Sequence, residues 1–191
     1  MSDIHDPAVK LTDANEALAL LKAGNQRYVS GEHHNYDFAA YRAQLSGGKG
    51  QRPFAVVITC GDSRVCPEHI FDQGIGDIFV CRNAGNILDE GTMGSAEFGH
   101  AACGAPLVVV LGHSECGAVS NAFDGTTGLP DALQGILVGI QKTIAGSPDK
   151  PAATIANLND QLNRLKSNPV FDDAVVMGAI YDLGTGVVSW Q

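Results

Sequence analysis

Three short apolar runs constrain the fold of this chain more than any other feature of its sequence. They lie at residues 53–59 (PFAVVIT), 77–83 (DIFVCRN) and 106–112 (PLVVVLG). Their continuous content of valine and isoleucine is typical of strands that are buried on both faces. Helical segments lie between them, near residues 67–74 and 93–103. Strands that alternate with helices predict right-handed crossovers and a parallel sheet, whose ligands bind beyond the carboxyl ends of the strands.

The segment before the first run predicts an N-terminal helical arm. Residues 13–29 combine a capping residue, Asp13, with apolar side chains at helical spacing. The polar stretch from 30 to 50 predicts a loop that contains a short helix near residues 38–45. Neither part of this arm contains a pattern of catalytic residues.

The C-terminal part of the chain completes the predicted fold. Further helices are predicted after Cys116, at 131–145 and at 151–166, and the last strands at 174–183 and 186–191. A Gly-Thr-Gly turn between these strands predicts a hairpin. We therefore expect an α/β fold with a mostly parallel central sheet flanked by helices and an antiparallel edge strand. A length of 191 residues suits one domain, with a helical arm (1–50) and an α/β core (51–191).

The composition argues against several classes of protein. No apolar run reaches the roughly 18 residues that a membrane span requires, and the start, MSDIHDPAVK, does not look like a secretion signal. A net charge of −9 without basic clusters argues against a nucleic-acid partner. We therefore expect a soluble, cytoplasmic protein. Its five cysteines are an odd number for a disulfide framework, which predicts reduced thiols or metal ligands.

Two strand ends carry the residues that are best suited to chemistry. The first predicted strand runs into CGDSR, which contains Cys60, and the third runs into GHSEC, which contains His113 and Cys116. In a parallel sheet both ends lie at the same rim. Two thiolates and one imidazole form the three-ligand set that zinc accepts when its fourth position is left for water or substrate. A structural zinc site and two unrelated core cysteines are the alternative interpretations.

Charged residues beside the first cysteine favour the catalytic interpretation. Asp62 is placed either to occupy the fourth zinc position or to accept a proton from the metal-bound water. Arg64 is placed to hold that carboxylate in a bidentate pair and to keep it ionised. A surface ion pair without function is the alternative.

These motifs together resemble a known family. The segments CGDSRVCPEHIF, GDIFVCRNAGN and VVVLGHSECGAV resemble the signature of the β-class carbonic anhydrases in order and spacing, over about residues 50–120. The resemblance implies reversible hydration of carbon dioxide to bicarbonate and a proton by zinc-bound hydroxide. It also implies that Cys60, His113 and Cys116 bind one Zn(II) per chain, and that Asp62 and Arg64 form the catalytic dyad.

The resemblance also implies residues that contact the substrate. Gly117 falls where the family has a small residue beside the active site. Gln51 matches a glutamine that bonds to the substrate oxygens in plant-like members, and Phe79 and Phe98 match residues that line their apolar pocket.

One departure from the family pattern predicts the subtype. Members that bicarbonate regulates at a second site carry a tryptophan three residues before the first cysteine ligand, whereas this chain has Val57 there. We therefore predict the plant-like, constitutively open type, with water in the fourth zinc position. The resemblance further implies a homodimer, or a larger assembly of dimers, with the active site at the interface.

Two other functions fit the same residues. The zinc scaffold would also suit hydrolysis of a carbon dioxide analogue such as carbonyl sulfide or carbon disulfide. A non-enzymatic zinc or thiol protein is the second alternative. The residue that exports the proton is not identified, although His69 and His100 are candidates.

Overall fold

A computed structural model describes residues 5–48 and 50–191 of the chain. Its strands are β1 (Ala55–Cys60), β2 (Ile78–Asn83), β3 (Leu107–His113), β4 (Val175–Tyr181) and β5 (Val188–Trp190). Its helices are α1 (Ala14–Ser30), α2 (Phe38–Leu45), α3 (Pro67–Ile70), α4 (Glu90–Glu97), α5 (Gly117–Phe123), α6 (Asp131–Thr143) and α7 (Lys150–Lys166). Short 3-10 turns at Ala84–Asn86 and Pro169–Phe171 and a π-helical turn at Phe98–Ala102 complete the elements.

The strands form one sheet in the order β2-β1-β3-β4-β5. Strands β1 to β4 are parallel to their neighbours, and β5 pairs antiparallel with β4 at the edge. The predicted α/β fold, with its parallel sheet and its antiparallel C-terminal edge strand, is therefore confirmed.

Strands β1 and β3 are buried along their whole length, as their apolar runs predict. Side chains of β1 alternate between two cores: Val57 packs with α1 on one face, and Val56 and Ile58 pack with α7 on the other. The prediction of burial on both faces is wrong for β2, where only Cys81 is buried. In the described part of the chain, β2 pairs with β1 alone and forms the other edge of the sheet.

Two helices differ from their predicted extents. The α-helical geometry of α3 ends at Ile70, and Asp72 then adopts a left-handed backbone with φ 43°. The segment predicted as one helix up to residue 103 divides into α4 and the π-helical turn. A polar and glycine-rich composition gives this segment little intrinsic preference for a regular α-helix. Among the described helices, none combines the length and apolar character needed to cross a membrane.

The N-terminal arm packs directly on the core. Asp13 caps α1, as predicted, by accepting a hydrogen bond from the Asn15 amide. Ala17 and Leu21 are fully buried against the sheet. At the end of the helix, Arg27 forms an ion pair with the buried carboxylate of Asp72, 2.5 Å away, and so ties the arm to the segment after α3.

Gly24 sets how closely α1 approaches that segment. A Cβ atom at this position would overlap the Phe71 carbonyl oxygen, which is backbone and has little room to move. We expect Gly24→Ala to lower the free energy of unfolding by about 3 kcal/mol, at the upper end for overpacking. Urea denaturation measures the change. Gly139→Ala is the control, because it lies on α6 with no atom within 4 Å of its new Cβ, and helix propensity favours alanine there by roughly 1 kcal/mol. Equal stability of the two variants would contradict this packing.

Candidate metal centre

The structure brings the three predicted metal ligands together at the carboxyl ends of the central strands. Cys60 is the last residue of β1, His113 is the last residue of β3, and Cys116 caps α5. All three are buried, and one ligand atom from each lies within 4.8 Å of the other two. The two sulfur atoms are 3.9 Å apart. Neighbouring parallel strands therefore form a compact Cys2His group from residues far apart in sequence.

The hydrogen bonds of His113 define which nitrogen is available to a metal. Its Nδ1 lies 2.8 Å from the Ser114 carbonyl oxygen, which can only accept, so Nδ1 carries the proton. The other nitrogen, Nε2, is buried and has no hydrogen-bond partner among the described residues. A neutral imidazole with a free Nε2, oriented by its second nitrogen, is the usual form of a metal-ligating histidine.

The paired thiols also suit a divalent cation. A hydrogen bond from Cys116 lowers the pKa of Cys60 to about 4. The same contact, together with burial, raises the pKa of Cys116 well above its usual range. One thiolate thus forms readily, whereas a second thiolate at this distance needs a cation to balance it. The two sulfurs and the free imidazole nitrogen therefore fit zinc, which prefers such ligands.

Asp62 and Arg64 form a bidentate ion pair beside the ligands. The Arg64 guanidinium donates to both carboxylate oxygens, at 2.9 and 2.7 Å, and the Arg64 amide also donates to Oδ1. These bonds hold the pKa of the Asp62 carboxyl well below its usual range. The ion pair raises the pKa of Arg64 in turn. Asp62 is therefore an ionised, oriented acceptor throughout the neutral pH range.

The end of β2 and the turn after it hold the first ligand in place. Arg82 donates to the carbonyl oxygens of Cys60 and Asp62, at 3.2 and 2.8 Å. The Gly85 amide lies 3.4 Å from the Cys60 sulfur. Gly85 has φ 76°, and a Cβ there would meet the Ile140 side chain at 2.6 Å. Only glycine fits this turn without strain.

Sequence reasoning missed residues that support the site from distant segments. Asn157 on α7 donates to the Gly85 carbonyl oxygen at 2.9 Å and fixes the turn from behind. Val119, Leu137 and Ile140 pack with the two ligand cysteines in one apolar cluster. Nothing in the local sequence distinguishes Asn157 from a surface asparagine, and the apolar residues follow ordinary helical spacing.

The predicted substrate residues divide into two groups. Gly117 adjoins the ligands, directly after Cys116, and a Cβ there would meet no atom within 4 Å. Gln51 is exposed and precedes β1 at its amino end, whereas Cys60 ends the strand. Within one protomer, Gln51 therefore lies at the opposite end of β1 from the metal ligands.

The aromatic pair also lies away from the ligands in one protomer. Phe79 pairs in register with Val56, and Cys60 pairs with Asn83 four residues further along, which corresponds to about 13 Å along the strand. The ring centres of Phe79 and Phe98 are 6.1 Å apart. Phe98 is 52% exposed. The pair forms an aromatic surface at the β2 edge rather than a pocket beside the cysteines.

The two candidate histidines differ in their surroundings. Both nitrogens of His100 contact oxygen atoms, of Ala105 at 2.8 Å and Asp173 at 2.9 Å, and its ring is buried near the amino end of β3. This histidine is a packing residue. His69 is exposed on α3 and lines a groove of about 1060 Å³ that also includes Arg64.

The comparison with known proteins identifies the class. The chain belongs to the carbonic anhydrase family, whose sequence model matches residues 55–188. Carbonic anhydrase 2 of Mycobacterium tuberculosis is 46% identical over 120 residues, which cover 60% of this chain and 57% of that protein. The match thus spans less than two thirds of that relative. The carbonic anhydrase of Mycolicibacterium smegmatis is 34% identical over 184 residues, or 88% of each chain.

Solved structures place the chain within the β class of that family. The crystal structure of the β-carbonic anhydrase CafA of Aspergillus fumigatus matches with a TM-score of 0.71 and 26% identity, over 93% of this chain and 89% of that one. The β-class resemblance drawn from the three sequence motifs is confirmed.

Proposed function

We propose that this protein catalyses the reversible hydration of carbon dioxide to bicarbonate and a proton, with one Zn(II) per chain. The observation that carries the proposal is the buried Cys60, His113 and Cys116 group, with ligand atoms within 4.8 Å of one another. A bound zinc ion supplies Lewis acidity, which makes water acidic enough to provide hydroxide near neutral pH. The family match and the names of the relatives support the same reaction.

Asp62 has a defined task in this reaction. Its carboxylate is ionised and can only accept hydrogen bonds, and Arg64 fixes both of its oxygens. One of these oxygens accepts a hydrogen bond from the O–H group of the attacking water. This bond orients the water toward the carbon of the substrate. Because Arg64 holds both carboxylate oxygens, Cys60, His113 and Cys116 alone would hold the zinc ion, and water would be free to bind it. This arrangement supports the open type, as does Val57, which is fully buried in the core.

The packing behind the metal ligands is apolar, which suits an uncharged substrate such as carbon dioxide. Val119 and Ile140 are 1% and 0% exposed and pack beside the ligand cysteines. Gly117 leaves space next to Cys116 because it has no side chain. An uncharged linear molecule loses little by entering such a site, whereas the bicarbonate product is charged and favours return to water.

The substrate residues that lie away from the metal centre support an assembly. We propose a homodimer, or a larger assembly of dimers, in which a second copy brings Gln51, Phe79 and Phe98 to the site. The exposed ring of Phe98 and the half-exposed edge strand β2 provide an apolar surface for such a contact. One domain, with the 1–50 arm on the 51–191 core, would be the unit of assembly.

The cysteines support a cytoplasmic location in this proposal. All five are free thiols in the structure. Two of them, Cys60 and Cys116, must stay reduced to bind zinc, as a reducing compartment ensures.

Stopped-flow hydration of carbon dioxide, with the zinc content of the same sample measured, tests the proposed function. We expect one zinc per chain and hydration far faster than in buffer alone, from about pH 6.5 to 9. Stoichiometric zinc without rapid hydration would overturn the assignment. Carbonyl sulfide and carbon disulfide would then be the substrates to assay, since both are attacked by hydroxide in the same way.

A further inference from the structure

Ser114 connects the metal centre to the turn between β4 and β5, which spans residues 182–187. It directly follows His113, at the point where β3 ends and the chain leaves the sheet. Its carbonyl oxygen accepts the hydrogen bond of His113 Nδ1 at 2.8 Å. Since Nε2 has no hydrogen-bond partner among the described residues, hydrogen bonding orients the ring through Nδ1.

Two further hydrogen bonds hold Ser114 itself. Its amide donates to the Tyr181 carbonyl oxygen at 2.9 Å, directly after the register pair of His113 and Tyr181. Its hydroxyl oxygen accepts from the Leu183 amide, also at 2.9 Å. The second bond lies beyond the last paired residues of β3 and β4, so backbone pairing within the sheet does not supply it. The serine side chain therefore joins the backbone after His113 to the turn.

The turn between β4 and β5 is a firm support because it is held from two sides. Within the turn, Asp182 accepts hydrogen bonds from the amide and the hydroxyl of Thr185, both at 2.8 Å. From α1, the buried side chain of Asn25 donates to the Gly186 carbonyl oxygen and accepts from the Val188 amide, both at 2.9 Å. The amide that bonds to the serine hydroxyl therefore has a fixed position relative to the core.

The peptide that carries the Ser114 carbonyl group needs this support. Glu115 follows it with φ 56°, in the left-handed region that residues with a side chain rarely adopt. Rotation of the peptide by about half a turn would return Glu115 to a negative φ and point the carbonyl oxygen away from His113. The orientation that serves the histidine is thus the strained one, which persists only when neighbouring contacts maintain it.

We infer that Ser114 is a positioning residue of the metal centre: its hydroxyl, held by the Leu183 amide, fixes the backbone whose carbonyl oxygen orients His113. The inference rests on the proposed function, because it requires His113 to bind zinc. Partners that orient a ligating histidine change metal affinity by about 10–100-fold. Loss of the hydroxyl leaves the carbonyl group in the chain, so we expect an effect at the lower end of this range.

Two substitutions of Ser114 separate the hydroxyl from the backbone. In Ser114→Ala, competition with a chromogenic chelator should show a dissociation constant for zinc raised about 10-fold. Ser114→Thr keeps a hydroxyl on the same carbon, so we expect its affinity to stay close to that of the wild type. Ser167→Ala is the control, because it removes a hydroxyl bond to the Arg164 carbonyl oxygen at 3.0 Å. Ser167 precedes the amino end of β4, whereas His113 pairs with the carboxyl end of that strand.

Solvent exchange of the His113 Nδ1 proton reports on the orienting bond itself. Nuclear magnetic resonance of the zinc-loaded protein follows this proton, since the other ring nitrogen then binds the metal. The bond must open before the proton exchanges, so we expect exchange to be about 10-fold faster in Ser114→Ala, as for the loss of one net hydrogen bond. Ser167→Ala should exchange at the wild-type rate. A serine with a purely structural role would lower the melting temperature without changing either readout.

The outcomes distinguish this inference from the proposed function. Wild-type zinc affinity and wild-type exchange in a folded Ser114→Ala protein would overturn the role of Ser114 and leave the proposed function intact. An equal loss of affinity in Ser114→Thr would also contradict that role, because the threonine retains the hydroxyl. If the alanine variant fails to fold, the same readouts in Ser114→Cys decide, since sulfur is only a weak acceptor. A wild-type protein that binds no zinc would instead overturn the proposed function.

Discussion

Replacing Asp62 with asparagine is expected to lower kcat/KM for carbon dioxide hydration by about 10²–10⁴-fold, the usual range for a positioned proton acceptor. The amide has almost the same size but no charge. In the wild type, the two carboxylate oxygens accept hydrogen bonds from the Arg64 guanidinium at 2.9 and 2.7 Å. In the variant, the amide NH2 group takes the place of one of these oxygens and faces an N–H of Arg64, so that two donors meet. The side chain must therefore turn or separate from Arg64, and the attacking water loses its acceptor. Stopped-flow hydration, with zinc content measured in parallel, checks the result.

The zinc content is central to that experiment. Asp62 is outside the buried Cys60, His113 and Cys116 group, so we expect Asp62→Asn to retain one zinc per chain. Asp124→Asn is the matched control, because it breaks an exposed ion pair with Lys150 at 2.7 Å on another surface. A rate close to that of the wild type in Asp62→Asn would contradict the role assigned to the carboxylate.

Local patterns were sufficient to predict most of the fold. The runs at β1 and β3 are continuous because both faces are covered, and this requirement is visible in the sequence itself. The same pattern misled at β2, where the strand begins with apolar residues but lies at the edge of the sheet. An apolar run shows that a segment tends to form a buried strand. Which elements cover that strand depends on the strand order, which the run does not contain. The ring of Phe98 beside β2 is exposed, so part of the apolar surface at this edge is not used in the core of one chain.

The site was predictable to the extent that it lies at strand ends. Cys60 and His113 are the last residues of two adjacent parallel strands, so the topology alone brings them together. Asn157 could not be predicted as part of the site. It reaches the Gly85 carbonyl oxygen from a helix 72 residues further along the chain, and nothing in the local sequence marks that contact.

Removal of one sulfur ligand tests the metal centre most directly. We expect Cys116→Ser to weaken zinc binding by about 10²–10⁴-fold, because zinc sites of this kind bind with roughly 10–16 kcal/mol spread over a few ligands. The serine hydroxyl stays protonated and cannot replace a thiolate. Hydration should fall in proportion to the zinc that is lost. Equilibrium dialysis against a zinc buffer, followed by the hydration assay, measures both quantities on one sample.

Cys81→Ser provides the control that separates the metal from the fold. Cys81 is also buried, at 6% exposure, but it lies within β2 and outside the ligand group. Burial raises the pKa of its thiol to about 11, as expected for a packing residue without a charged partner. The serine there should cost about 1–3 kcal/mol of stability, through an unpaired buried hydroxyl, and leave zinc content unchanged. If both serine variants kept their zinc and their activity, Cys116 would not be a ligand, and a metal bound elsewhere would have to support the reaction.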